Sequence, residues 1–240
     1  MELFLFRRLH HQRIARVLES LDADLLAQHG CWFGGGTAIA LAHDEYRESV
    51  DIDFLVSDAA GYRAVRGIVR ETGLAGLARK NLETARPPTS DAYGIRTSLL
   101  VDGTAIKFEI IHEGRISLDR PGPDQTICGV RTLTSADQVA SKLLANDDRW
   151  ADSSVFHRDL IDLAMMRPHG PTLEAGFAKA VDAYGPTVRS SLNNVVAHLR
   201  ERPQRLDESM RALGMEMPRA ILWQEIRRVT DAVAGIPTAD

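Results

Sequence analysis

Residues 31–56 read CWFGGGTAIALAHDEYRESVDIDFLV, and the fold turns on how this stretch is read. An apolar lead-in runs into Gly34-Gly35-Gly36, then the helix-like Thr37-Ala38-Ile39-Ala40-Leu41, then Asp51-Ile52-Asp53 inside an apolar run. A glycine turn that opens a helix presents free backbone N–H groups, a good cradle for phosphate. Asp51 and Asp53, two apart on a strand, share one face while Ile52 and Phe54 share the other. Charge on a buried strand is costly unless it is paired or metal-bound, so this carboxylate pair suits divalent cations. Taken singly, the glycines read as a tight turn and the Asp-x-Asp as a solvated strand end.

Working outward, Ile14, Val17, Leu18, Leu21, Leu25 and Leu26 recur at helical spacing and predict one amphipathic helix over 7–29. A short strand at 31–34, a helix at 37–44 and a second strand at 50–56 follow. Asp58 is placed to cap a helix over 60–72, and Gly73 to end it. Pro87-Pro88 and Ser90-Asp91 make 76–94 an exposed loop. Strands at 95–101 and 105–111 flank Asp102-Gly103, a strong hairpin signal. In the second arm Ile106, Phe108 and Ile110 share one face, while Lys107 and Glu109 share the other. Glu109 is thus a third carboxylate on the polar side of a buried strand. Residues 112–131 read as loop and a short strand. After Thr134 or Ser135, either a plausible N-cap, the pattern is helical over 136–147, 155–166, 172–183, 187–200, 205–213 and 218–233, punctuated by proline and glycine. The expected organisation is an α/β domain at 1–133 and a helical domain at 134–240.

The whole chain narrows the function classes. With 240 residues, 44% of them hydrophobic, it can bury one large or two small cores. No apolar run approaches the roughly 20 residues of a membrane span. The start, with its short apolar patch followed by charges, is not a convincing signal peptide. Cys31 and Cys128 form no metal-ligand pair and read as buried thiols, which points to a reducing cytoplasm. A net charge of −4 does not favour a general nucleic-acid binder. Residues 149–228 hold 11 Arg and one Lys against 10 acidic residues, which fits an RNA-facing surface or a solvated helical face equally. The eight histidines show no metal-ligand spacing.

Three carboxylates beside a glycine turn suit a two-metal site for in-line displacement at phosphorus. Lys142, Ala145 and Arg149 share one helix face, and Asp159 and Asp162 follow. Taken alone, Lys142 is a solvated charge and Arg158/Asp162 an i,i+4 salt bridge. Ser49 either donates to a phosphate or carboxylate or merely ends a loop.

The ordered motifs GGTAI, Arg47 to Phe54 with RESVDIDF, Lys107-Phe108-Glu109, Lys142 with Ala145, and Arg158-Asp159-Leu160-Ile161-Asp162-Leu163 resemble a known family. They are similar to the AbiEii/AbiGii toxin-type members of the DNA polymerase β-like nucleotidyltransferase superfamily, over about residues 30–166. The resemblance implies an α+β fold: a polymerase β-like core, with a mixed sheet and flanking helices, followed by a C-terminal helical bundle. It implies an Mg²⁺-dependent enzyme that moves an NMP from an NTP to an acceptor hydroxyl, such as a tRNA 3′ end, in a toxin–antitoxin or abortive-infection setting. A cognate antitoxin is then an expected partner. Asp51, Asp53 and Glu109 would hold two Mg²⁺ ions, with Glu109 completing the site or acting as a base. Gly35, Gly36, Thr37 and Ser49 would hold phosphate, Lys142 would support the triphosphate, and Asp159 or Asp162 would position that lysine. The alternatives are a small-molecule or protein acceptor, or a catalytically idle nucleotide- or partner-binding protein.

Overall fold

The computed structural model describes residues 6–237; the apolar start read above at residues 1–5 lies outside them. The chain forms two compact units: the residues up to Glu45 together with Ser49–Thr134, and Tyr46–Glu48 together with the residues from Ser135 onward. The fold is α+β, a mixed sheet with its helices followed by an all-helical part.

The first unit begins with α1 (Leu9–Leu18) and α2 (Ala23–Gln28) in place of the single expected helix. The apolar stripe runs through the break, but Leu21 pairs with Ala78 in an isolated bridge, and the Asp22 carboxylate accepts the Leu25 N–H to cap a new helix. Tertiary pairing here overrides periodicity. Next come β1 (Trp32–Gly34), α3 (Gly35–Ala42), β2 (Ile52–Val56) and α4 (Ala59–Thr72). Asp58 caps α4 through the Gly61 N–H, as expected, and Gly73 ends it.

The expected loop at 76–94 contains a strand, β3 (Thr84–Ser90), a correction to the sequence reading. Pro87 and Pro88 fit because β3 is an edge strand and its pairing with β4 (Gly94–Val101) shifts register around them. β4 and β5 (Thr104–His112) form the expected hairpin, with both Asp102 and Gly103 at positive φ, the requirement of a type I′ turn. β6 (Thr126–Ile127) and β7 (Val130–Arg131) make a small ribbon. The main sheet runs β1-β2-β5-β4-β3; β2 and β5 are parallel and the other pairs antiparallel.

The sheet has two unlike faces. Phe33, Ile52, Phe54, Ile106, Phe108 and Ile110 enter the core with Ile14, Leu18, Val65 and Val69 of the helices. The rings of Phe33, Phe54 and Phe108 follow one another at 5.5 and 5.8 Å. Burying side chains of this size is worth about 1.5–3 kcal/mol each, which fixes the register of β2 against β5. A one-residue slip would put Asp53 and Glu109 into that core. On the opposite face lie Asp53, Glu109 and a smaller apolar group of Trp32, Leu55 and Leu133.

The second unit contains α5 (Ser135–Arg149), α6 (Arg158–Met165), α7 (Gly170–Tyr184), α8 (Thr187–Glu201), α9 (Gln204–Ala212) and α10 (Arg219–Ala234). α5 packs on α6, α7 and α8, and α6 on α10. α6 starts later than expected because Phe156 and His157 are both left-handed. Among the described residues no helix is long and apolar enough to cross a membrane.

Candidate active site

Register places the carboxylates. Asp53 faces Glu109 across the parallel β2–β5 pair, and Glu109 faces Arg96 across β5–β4, so the three form one row over the sheet. Asp51 lies just before β2, half-buried like Asp53.

Gly35 opens α3 at φ +67°, and a Cβ there would meet Asp53 Oδ2 at 2.4 Å. The Asp53 carboxylate therefore lies directly against the first turn of α3, where only glycine leaves room. Gly36 and Thr37 occupy the same turn. Thr37 is buried; its hydroxyl donates to the Asp51 carbonyl and lies 2.8 Å from Ser49 Oγ. A carbonyl only accepts, so with the Thr37 proton engaged there the Ser49 hydroxyl is the donor to Thr37. Gly35, Gly36, Thr37, Ser49, Asp51 and Asp53 are thus brought together by one turn and one loop.

Glu109 is placed differently from expectation. Its carboxylate is ion-paired with Lys107 and with Arg96 Nε at 3.3 Å, and Arg96 also reaches Asp91. Among the described residues no three His, Cys, Asp or Glu side chains converge closely enough to hold a metal ion. Asp51 and Asp53 fit a divalent cation by donor chemistry, as hard anionic oxygens on one side of the sheet. Glu109 lies in their row but fits only after exchanging its two cationic partners. A cleft of about 450 Å³ in this unit, lined by Trp32, Ser57, Asp58, Gly61 and Arg120, is at the other end of β2 and contains none of these carboxylates.

In the helical unit Lys142 is buried, its ammonium 3.2 Å from Asp159 Oδ1 and 2.6 Å from Asp162 Oδ2. Arg149 pairs with both oxygens of Asp159, and Arg47 with both oxygens of Asp162 at 2.6 and 3.0 Å. The Tyr46 hydroxyl donates to Asp162 as well. Burial alone would raise Asp162, but Arg47 and Lys142 hold it far below the usual carboxylate range. Burial likewise opposes ionisation of Asp159, and Lys142 and Arg149 overcome it. Three cations around two carboxylates leave a net positive cluster. The i,i+4 reading of Arg158/Asp162 gives way, because Asp162 turns to Arg47 and Lys142; both aspartates, not one, hold the lysine.

Sequence reasoning missed His11, Glu45 and Tyr46. His11 had a usable signal: it lies three residues before Ile14 and seven before Leu18, a polar residue on the apolar stripe of α1. Glu45 and Tyr46 carry no local signal.

A mixed sheet bearing a carboxylate row beside a glycine-opened helix, joined to a helical bundle, places the chain among nucleotidyltransferases, and comparison with known proteins makes this definite. The chain belongs to the AbiEii family, described as nucleotidyl transferase AbiEii toxins of type IV toxin–antitoxin systems, whose model matches residues 16–231. In fold it is similar to the crystal structure of a candidate nucleotidyltransferase from H. pylori, at TM-score 0.52 and 18% identity, covering 94% of this chain and 93% of that one. It is also similar to JHP933 from Helicobacter pylori, at TM-score 0.51 and 16% identity, covering 95% and 93%. No curated protein matches the chain significantly.

Proposed function

We propose that this nucleotidyltransferase uses Mg²⁺ to move a nucleoside monophosphate from an NTP to an acceptor hydroxyl, releasing pyrophosphate, and that the acceptor is the 3′ end of a tRNA. The observation that carries the reading is the Asp53 carboxylate seated on the first turn of α3, with Asp51 tied to the same turn through Thr37. Metal-binding carboxylates and phosphate-binding N–H groups are thereby held in one rigid frame, which is what positioning catalysis at phosphorus requires.

In this proposal Asp51 and Asp53 hold the cations, and Glu109 joins them once Arg96 and Lys107 release it. Bound Mg²⁺ would neutralise charge on the triphosphate and favour ionisation of the attacking hydroxyl. The backbone N–H groups of Gly35, Gly36 and Thr37 orient phosphate oxygens, and the α3 dipole adds to their attraction. Ser49 keeps Thr37 aligned. Lys142, held by Asp159 and Asp162, is assigned to support of the triphosphate. A toxin of this kind acts under an antitoxin, which is the proposed partner.

Each of the four NTPs, labelled at the α-phosphate, is incubated with the purified chain, Mg²⁺ and total RNA. Label at RNA 3′ ends is expected. Label on no acceptor, from folded protein, would sink the proposal.

A further inference from the structure

We propose that His11 is a positioning residue for the Asp51 loop: its ring ties α1 to the backbone at Ser49 and so fixes where the Asp51 carboxylate stands. The catalytic consequence rests on the function proposed above; the geometry does not.

Residues 46–51 belong to no helix or strand, so the chain entering β2 lacks a ladder to hold it. Side chains supply ties instead: His10 Nε2 meets the Val50 carbonyl at 3.0 Å, and His11 holds the backbone at Ser49. His11 is fully buried on α1, and its Nε2 accepts the Ser49 N–H at 3.1 Å. A backbone N–H can only donate, so Nε2 is the bare nitrogen and the proton is on Nδ1. Nδ1 in turn donates to Glu45 Oε1 at 2.8 Å. Glu45, left-handed at φ 51°, also accepts the backbone N–H groups of Arg7 and Arg8 at 2.7 and 3.0 Å. Those bonds and His11 keep the carboxylate ionised despite its burial.

From Ser49 the connection continues through its hydroxyl to Thr37 and from Thr37 to the Asp51 carbonyl. One continuous set of hydrogen bonds therefore runs from Glu45 through His11, Ser49 and Thr37 to Asp51. It locks the carboxylate loop and the first turn of α3 to the same buried ring. A space-filling core residue would not need a defined tautomer. A positioning residue does, because the acceptor must face Ser49 and the donor must face Glu45.

Two measurements test this. In the wild-type chain, imidazole ¹⁵N shifts should show His11 protonated on Nδ1 alone; a proton on Nε2 overturns the proposal without any variant. In variants, His11→Gln places a carbonyl oxygen near the Nε2 position, whereas His11→Asn reaches only toward Glu45. Exchange of the Ser49 amide should accelerate about 10-fold in His11→Asn and stay within about threefold of wild type in His11→Gln. Turnover in label transfer should fall about 10-fold in His11→Asn with KM for NTP within about twofold, and recover in His11→Gln. Equal Ser49 exchange in the two variants overturns the proposal. Label transfer absent from wild type while the Ser49 contrast holds defeats the nucleotidyl-transfer reading and leaves His11 as the tie.

Discussion

Replacing Gly35 by alanine separates the role of the glycine as a turn from its role as a seat for Asp53. At φ +67° any side chain adds backbone strain of about 1–2 kcal/mol. Gly103→Ala is the matched control: its φ is +72°, and a Cβ there meets nothing within 4 Å. Both substitutions should therefore lower Tm, Gly103→Ala by about 3–8 °C for a unit of this size and Gly35→Ala by more. Only Gly35→Ala adds a collision, with its Cβ 2.4 Å from Asp53 Oδ2 and 2.9 Å from Asp53 Cβ. Ordinary contact lies beyond about 3.4 Å, so the carboxylate must retreat by about 1 Å, a displacement that costs about 10²-fold in rate when the group is catalytic. Label transfer from α-labelled NTP should thus be nearly lost in Gly35→Ala and intact in Gly103→Ala. Mn²⁺ affinity, read by electron paramagnetic resonance, should fall in the first alone. Full activity and metal affinity in folded Gly35→Ala would refute the claim that the Asp53 position matters.

In the helical unit, Arg47→Met leaves the fully buried Asp162 with Lys142 as its remaining cation, and should cost about 3 kcal/mol by denaturant unfolding; a change below about 0.5 kcal/mol would contradict the buried-pair account. The same cluster sets an acid limit. Asp159 and Asp162 titrate lower folded than unfolded, so their stabilisation is complete above the ordinary carboxylate value near pH 4 and drains as pH falls toward the folded values. The thermal midpoint should drop steeply below about pH 4, and more shallowly in Asp162→Asn; an unchanged slope in that variant counts against the cluster. Both thiols should resist alkylation at pH 8 in the folded chain, since burial raises Cys31 and, with Glu19 nearby, pushes Cys128 up to about 11; rapid labelling of Cys31 would contradict its burial.

What was legible in the sequence was what local pattern encodes. The alternation over 105–111 with Asp102-Gly103 gave β4 and β5, and the apolar flanks of Asp51-Ile52-Asp53 gave β2 and the carboxylate face. Proline and glycine punctuation marked α5 to α10 of the second unit. What stayed hidden depends on partners far along the chain. The break between α1 and α2 comes from Leu21 meeting Ala78, while the stripe itself runs on. β3 has no apolar alternation because, as an edge strand with two prolines, it buries little. That Glu109 is neutralised by Arg96 follows only from the β4–β5 register. Arg47 finds Asp162 over a separation of 115 residues, which no window of local sequence contains.

The most direct test of the central claim is Mg²⁺-dependent transfer of α-labelled NMP to total tRNA by the wild-type chain and by Asp53→Asn, a change that keeps the shape of the side chain and removes its charge. Wild type should label RNA 3′ ends only when Mg²⁺ is present, and Asp53→Asn should fall by about 10³-fold or more with an unchanged melting temperature. Undiminished transfer by Asp53→Asn, or label on no acceptor from folded wild-type protein, would contradict the account.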